Sequence, residues 1–565
     1  MLRGRHPRTS FRRGLRTGNG QRPLEAVAAR RGKRLCGNAC LSAADVAQAL
    51  SAAAAPETWI AEFLAEARAQ SYCHESDSVE ETFLFSRMVH SLGTALPLWS
   101  NDAAVPVGVL LPRLSEALRR VDAAGAPGDP APGDNTASSA CRVPAGHGGS
   151  GLEPDPQASL AQWAAHLHAL GFEHLRSRIV ASGPQLSEPP INRLRGDELV
   201  WGQAPARVDF AGGWTDTPPF SLEQGGQVLN AAVQLKGQMP VQVFARAIPE
   251  LLICCRSIDR ATRLEIRSWE QLLDPGETHD EFALARGALA LSGFAPVPEA
   301  SWAAASLAET LKRFGGGLEL TALAAIPKGS GLGTSSIMGA VYLATIFRVL
   351  GRQLSRNELF NAVLRLEQIM TTGGGWQDQV GGVIEGLKRI STPPGLIPAT
   401  TIVPLCGDLV DPRRNGGQTM LYYTGITRLA KNILQQVVGR WLDRERETVA
   451  TLHHIHRLVD DMNAAIADGD LSEFGRLIAT AWQLNNRLDP NSTTPEIDLL
   501  LGRIERHLHG AKLLGAGGGG FLFLVCKSSA DAERVRHILE TDPPNPRARF
   551  FDYDVSPRGL TVTVC

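Results

Sequence analysis

The residues of this sequence best suited to chemistry lie in four short stretches. The first is Pro327-Lys-Gly-Ser-Gly-Leu-Gly-Thr-Ser-Ser336, which follows an apolar run of period two and precedes a long apolar run. Glycines let a backbone come close to a phosphate, and a helix opening just after them offers free N–H groups and the positive end of its dipole. The hydroxyls of Thr334, Ser335 and Ser336 can bind Mg2+ or phosphate oxygens. The spacing excludes a Walker A loop, and Ser336 stands where a dinucleotide fingerprint needs glycine. The bland alternative is a tight strand-to-helix turn, which needs neither so many glycines nor three hydroxyls at a helix start. The second stretch, Gly515-Ala-Gly-Gly-Gly-Gly520, satisfies G-x-G-x-x-G but runs into an apolar strand, Phe521 to Val525, where that fingerprint opens a helix. Alone it reads as a flexible turn; with the first loop it reads as a second wall of one phosphate site.

In the third stretch, Thr371-Thr-Gly-Gly-Gly-Trp-Gln-Asp-Gln-Val-Gly-Gly382, small residues surround Asp378 and Trp376. Glu367 precedes it at the end of a predicted helix, either as a solvated edge charge or as a carboxylate for Mg2+. The fourth stretch, Ala204 to Pro219, packs Arg207, Asp209, Gly212, Gly213, Trp214 and Asp216 into a strand and turn. Carboxylates accept hydrogen bonds from sugar hydroxyls, and aromatic faces cover sugar C–H patches. A β-turn with surface charges accounts for the same composition, and both readings stand at this point.

Several elements must position these residues. Leu318, Leu320, Ala322, Ala324 and Ile326 alternate as a strand ending at Pro327, and Ile337 to Leu350 is apolar nearly all round, as in a buried helix. Ser355 and Glu358 form a capping box for a helix to about Met370. Helices are expected over about 429–443, 446–467, 471–486 and 496–508, then strands Phe521 to Cys526 and Leu560 to Cys565. Strands and helices alternate only beyond Leu199. Before it, residues 1–34 form a basic arm with ten arginines, one lysine and one glutamate. Residues 35–121 read as an alanine-rich helical segment, 122–159 as a Gly/Pro-rich linker, and 160–198 as a helical spacer.

Across 565 residues, 43% hydrophobic and 20% charged with a formal net charge of −1, the composition is that of a globular chain of two or three domains. It gives no electrostatic reason to expect nucleic acid, and no run of about 20 apolar residues suggests a membrane span. Nine irregularly spaced cysteines, including Cys36 and Cys40, form no disulfide or zinc pattern, which points to the cytoplasm. The cluster His453, His454 and His456 lacks the further ligands of a tetrahedral metal site.

Taken together, an early A-P-x-R strand, a central P-x-G-x-G-L-G-T-S loop and a late G-A-G-G-G-G loop, in that order, resemble the GHMP kinases over Leu199 to Cys565. Within that superfamily, A-P-A-R-V-D-F-A-G-G-W-T-D-T-P-P and L-E-Q-I-M-T-T-G-G-G-W-Q-D-Q-V-G-G are most similar to the kinase half of the L-fucokinases, with the heptose 7-phosphate kinases next. The resemblance implies an α+β fold of two parts after the helical segment: a ribosomal-protein-like part over 199–400 and a ferredoxin-like part over 401–565, with the active site in the cleft. It implies a cytoplasmic enzyme that uses ATP and Mg2+ to phosphorylate the anomeric hydroxyl of free L-fucose. The alternatives are a D-glycero-D-manno-heptose 7-phosphate kinase and a catalytically silent sugar sensor. Residues 1–198 show no nucleotidylyltransferase signature, so kinase activity alone is expected. No partner beyond sugar and ATP is implied.

By the same resemblance, Lys328, Gly329, Ser330, Gly331, Leu332, Gly333, Thr334, Ser335 and Ser336 hold the ATP phosphates, and Gly517, Gly518 and Gly519 close over them. Ser335 and Glu367 are the Mg2+ ligands, Asp378 is the catalytic aspartate, and Arg207 offsets its charge and stabilises the forming alkoxide. Gly213, Trp214, Asp216 and Arg428 contact the sugar.

Overall fold

The computed structural model describes residues 41–52, 56–71, 83–100, 159–183, 188–274, 280–296, 302–327, 329–370, 373–426 and 431–565. The basic arm, the linker up to residue 158, Cys36, Cys40, Lys328 and Arg428 lie outside the described residues. The described chain falls into two compact units.

The smaller unit is helical, built from Ala43–Ala52, Pro56–Ser71, Leu84–Ser100 and the first part of Leu160–Ala181, with residues 442–445. Met88, Val89, Leu92 and Leu96 recur at three- and four-residue spacing on one helix face and are buried together with Ile60 and Leu64. The helix from Leu160, expected as a spacer, contributes Trp163 and Leu167 to this core. Thr94 Oγ1 donates to Asp443 Oδ2 at 2.6 Å, and His90 Nδ1 lies 2.9 Å from Oδ1. The His168 ring stacks on His90 at 4.3 Å. Burial, with His90 beside it, pushes His168 down to about 4 against the pull of Asp443.

The larger unit is α+β. A six-stranded sheet runs in the order Thr561–Val564, Val200–Ala204, Val241–Ile248, Gly317–Ala324, Ile253–Ser257 and Thr262–Ile266; its one parallel pairing joins Ile253–Ser257 to Gly317–Ala324. The helix Thr334–Val349 packs on this sheet, so closely that a Cβ on Gly202 would lie 2.2 Å from Thr345 Oγ1. A second sheet centres on Gly226–Leu235, buried along its whole length, and carries Ala206–Ala211 on it. A third sheet, Leu508–Leu513, Phe521–Cys526, Thr419–Tyr423 and Arg549–Phe551, is antiparallel throughout. Its chain order is strand, helices, strand, strand, helix, strand, and its spatial order makes it ferredoxin-like.

The division expected at residue 401 is crossed by strands: Thr401–Leu405 and Tyr553–Val555 join the second sheet, and Thr561–Val564 joins the first. The helix expected to reach residue 508 ends at Ile504, and Leu508–Leu513 is a strand. Gly515–Gly520 therefore does follow a strand and links it to an antiparallel neighbour. Alternation did not reveal that strand because a buried position is occupied by Lys512. The capping box is present, with Ser355 Oγ and the Glu358 carboxylate each accepting a backbone N–H. No described helix is long and apolar enough to cross a membrane. The five described cysteines are free.

Candidate active site

The strand Ala206–Ala211 is buried at every position, and alternation along it sends Arg207 and Asp209 to one face and Val208 and Phe210 to the other. Arg207, 2% exposed, donates from Nε to Asp378 Oδ1 at 2.7 Å, reaches the same oxygen from Nη2 at 2.6 Å, and donates from Nη1 to the Gly331 carbonyl at 3.1 Å. Burial opposes its charge, but Asp378, Asp209 and Asp216 outweigh that and hold the guanidinium above its ordinary range. Asp378 stands in the first turn of the short helix Gln377–Val383, with Gly333 and Gly381 against the pair: a Cβ on either would meet the Arg207 side chain at 3.0 and 2.9 Å.

Asp216 is buried and fixed by two backbone donors, Trp214 N–H to Oδ1 at 3.2 Å and Gln377 N–H to Oδ2 at 3.1 Å. Gly375 passes so close that a Cβ there would lie 2.0 Å from Oδ2. Burial, then the neighbouring Asp378, pushes this carboxyl up to about 7; the Gln377 N–H works against it. Trp214 is buried in a left-handed backbone conformation, φ 88°, which is uncommon for a bulky residue and clusters at ligand sites.

In the first glycine loop, Gly329, Gly331 and Gly333 all have positive φ, and Gly333 caps the helix Thr334–Val349 without a side-chain hydrogen bond. The buried Ser330 Oγ and Thr334 Oγ1 have no hydrogen-bond partner among the described residues. Ser335 is exposed; the hydroxyl that reaches Glu367 is that of Ser336, donating to Oε1 at 2.6 Å. Glu367 is 3% exposed and is no edge charge. Free hydroxyls and left-handed glycines at a helix start fit a phosphate chain. One carboxylate beside hydroxyls fits Mg2+, which is commonly held by one or two carboxylates together with substrate phosphates.

The two glycine loops touch. Gly515 lies against Gly331, where a Cβ would come within 2.8 Å of Gly331 Cα, and Phe521 N–H donates to the Ser330 carbonyl at 3.0 Å. Gly518 N–H donates to the Ser492 carbonyl at 2.6 Å, Gly517 packs on Ser492, and Gly519 on Ile426.

Sequence reasoning gave no role to a second ion pair in this cluster. Lys512 Nζ binds Asp209 Oδ2 at 2.5 Å, with both side chains 3% exposed or less. Burial lowers the Lys512 ammonium from its ordinary range, and Asp209 opposes that. Asn230 and Gln377 line the same region and were also passed over. No local signal marks Lys512, a lone cation in an apolar run. His453 and His456 pack at Phe220, and no cluster of metal-binding side chains exists among the described residues.

Residues 300–386, which hold the first glycine loop, Glu367 and Asp378, match the family model GHMP kinases N terminal domain, and residues 462–545, which hold Lys512 and the second loop, match GHMP kinases C terminal. This chain thus matches the models of both GHMP kinase domains. It is 41% identical over 392 residues to the L-fucokinase/L-fucose-1-P guanylyltransferase of Bacteroides fragilis, covering 69% of this chain and 41% of that protein. With the bifunctional fucokinase/GDP-fucose pyrophosphorylase of Arabidopsis thaliana the identity is 32% over 393 residues, covering 69% and 36%. A D-glycero-alpha-D-manno-heptose 7-phosphate kinase of Campylobacter jejuni is 24% identical over 331 residues, 57% of this chain and 87% of that one. The chain thus spans less than half the length of the first two relatives. Arg207, Asp209 and Asp216 lie before both matched GHMP segments.

Proposed function

We propose that this chain is an ATP-dependent sugar kinase that phosphorylates the anomeric hydroxyl of L-fucose to give fucose 1-phosphate. The observation that carries this reading is the Arg207–Asp378 pair held against the first glycine loop, with Asp216 tied by hydrogen bonds to the N–H of Gln377, next to Asp378, and to that of Trp214. Asp378 accepts the proton of the anomeric hydroxyl as the oxygen attacks the terminal phosphorus of ATP, whose bond to the bridging oxygen breaks to release ADP. Arg207 fixes that carboxylate through Oδ1, leaving the other oxygen to accept, and offsets the charge that develops on the sugar oxygen. Backbone N–H groups at the start of Thr334–Val349 and the Ser330 and Thr334 hydroxyls hold the phosphates. Glu367, with Ser335 or Ser336, would hold Mg2+, whose charge neutralises the phosphate oxygens during transfer. Asp216 and Trp214 orient the sugar.

A neutral sugar suits this cluster. Arg207 and Lys512 are already paired with carboxylates, leaving neither cation for the phosphate of a heptose 7-phosphate. Arg207, Glu367 and Asp378 stand together, which a silent sensor does not require. The test is ADP release over a panel of free sugars and sugar phosphates. L-fucose should give the highest kcat/KM; a higher value for a heptose phosphate, or no ADP release with any acceptor, would overturn the reading.

A further inference from the structure

Beside the Arg207–Asp378 pair, the carboxylate of Asp209 is only half used. Its Oδ2 takes the Lys512 ammonium, while its Oδ1, fully buried, has no hydrogen-bond partner among the described residues. Lys512 is saturated: its three N–H donors go to Asp209 Oδ2, the Asp209 carbonyl and the Phe210 carbonyl. It balances the charge of Asp209 without competing for Oδ1. The carboxylate lies close against the Gly213 backbone, which carries no side chain to crowd it. A Cβ there would lie 3.2 Å and 3.4 Å from the two Asp209 oxygens and 3.3 Å from Gln377 Nε2.

Two further buried oxygens share this condition. Asn230, the cross-strand partner of Asp209, leaves Oδ1 unpartnered while its Nδ2 donates to the Gln377 carbonyl at 3.5 Å; Gln377 leaves Oε1 unpartnered. Leaving a buried polar atom without a partner is costly. Asp209, its cross-strand partner Asn230 and Gln377 thus leave three buried acceptors in one neighbourhood, and the natural complement of such a set is a group of hydroxyl donors.

We infer that Asp209 is a sugar-binding residue. Its Oδ1 accepts a hydrogen bond from a hydroxyl of the sugar other than the one phosphorylated, and Lys512 holds the carboxylate in place for it. The inference rests on the sugar-kinase reading and extends it from Asp216 and Trp214 to a second carboxylate that sets which hydroxyl pattern is accepted. A hydroxyl bonded to a buried carboxylate discriminates strongly, because a sugar lacking it leaves that carboxylate desolvated and unpaired.

The experiment compares the parent, Asp209→Asn and the charge-balanced double variant Asp209→Asn/Lys512→Met on L-fucose and its 2-, 3- and 4-monodeoxy analogues, with the KM for ATP measured alongside. Asp209→Asn should raise the KM for L-fucose about 10- to 100-fold while moving the KM for ATP less than about twofold. One deoxy analogue should suffer in the parent but carry no additional penalty in the variant, since the contact is already lost. A folded variant with the parent's KM for L-fucose, or equal losses over the whole deoxy series and ATP, would overturn the inference. Where the single variant shows no cooperative thermal transition, the double variant supplies the same readings. Failure of both to fold assigns the pair to structure and overturns the inference as well. A parent inactive on every sugar sinks the kinase reading itself, which distinguishes the two failures.

Discussion

Arg207 grips Asp378 through one oxygen. Nε and Nη2 both converge on Oδ1, at 2.7 and 2.6 Å, and Nη1 turns away to the Gly331 carbonyl. The carboxylate is thereby oriented by a fixed cation while its second oxygen is left without an arginine contact. Asp378 is 28% exposed beside an arginine that is 2% exposed, so the pair presents its acidic end outward.

Replacing Asp378 by Asn keeps the shape but removes the proton acceptor and the charge. Turnover of L-fucose should fall by about 100-fold or more, with nucleotide affinity nearly unchanged. If positioning supplies most of the acceleration, Asn should retain more rate than Ala; if proton acceptance does, both should fail alike. Single-turnover phosphorylation by the three forms decides, and parental rates in both variants would remove Asp378 from the site.

Asp216 predicts a pH dependence of definite sign. Its carboxyl is held at about 7 in the folded chain, above its ordinary 3.8. A carboxyl with a raised folded value contributes stability that is present below about pH 4 and lost as pH rises through 7, at most about 4 kcal/mol. Asp216→Asn should therefore melt above the parent at pH 8 and lose that advantage toward pH 4. In the parent, the KM for the sugar should fall as pH rises through 7, since the ionised carboxylate is the better acceptor; in the variant it should be flat. Parallel melting curves for the two proteins would contradict this.

Glu367→Gln should raise the Mg2+ concentration needed for half-maximal activity, because an amide oxygen is a weaker ligand for a hard cation. Ser335→Ala and Ser336→Ala separate the two hydroxyls. The one that binds the cation should shift the magnesium midpoint, while loss of the other should leave it in place. Midpoints equal to the parent's in all three variants would take the cation elsewhere.

Gly331 stands at φ 80° with a Cβ position 2.1 Å from the Leu514 carbonyl, where no side chain fits. Gly331→Ala should cost more than the ~1–3 kcal/mol of backbone strain alone and push the two glycine loops apart. Gly237, also left-handed at φ 72° but with open space around it, is the control for strain without collision. Thermal unfolding of both variants, with nucleotide affinity for the first, is the measurement; equal shifts for both would deny the close contact.

Much of the site was legible because its residues lie in local runs whose composition is unusual for plain turns: Arg207 to Asp216, Gly329 to Ser336, and Glu367 to Asp378. The capping box at Ser355 and the buried helix after Ser336 were legible from spacing alone. What escaped were the pairings that only the folded sheets create. Lys512 meets Asp209 across 303 positions, and the strand that brings it there is disguised by the lysine itself. Ser336 took the contact with Glu367 because a helix start turns successive hydroxyls in different directions, which spacing cannot rank. The C-terminal strands that return to the first two sheets likewise carry no mark of their destination.

The strand Ala206–Ala211 draws its two counter-charges from residues 171 and 303 positions further along the chain. Closing such long loops adds little entropy beyond closing shorter ones, so the barrier lies in desolvation. Until the hairpin bearing Lys512 docks, Asp209 either stays in water or is buried as a lone anion, which costs several kcal/mol. A nascent chain that has emerged only as far as Asp378 is therefore expected to keep this strand hydrated and its sheet incomplete. Two fragments cut between the glycine loops should each be inactive, and should regain activity only on being mixed.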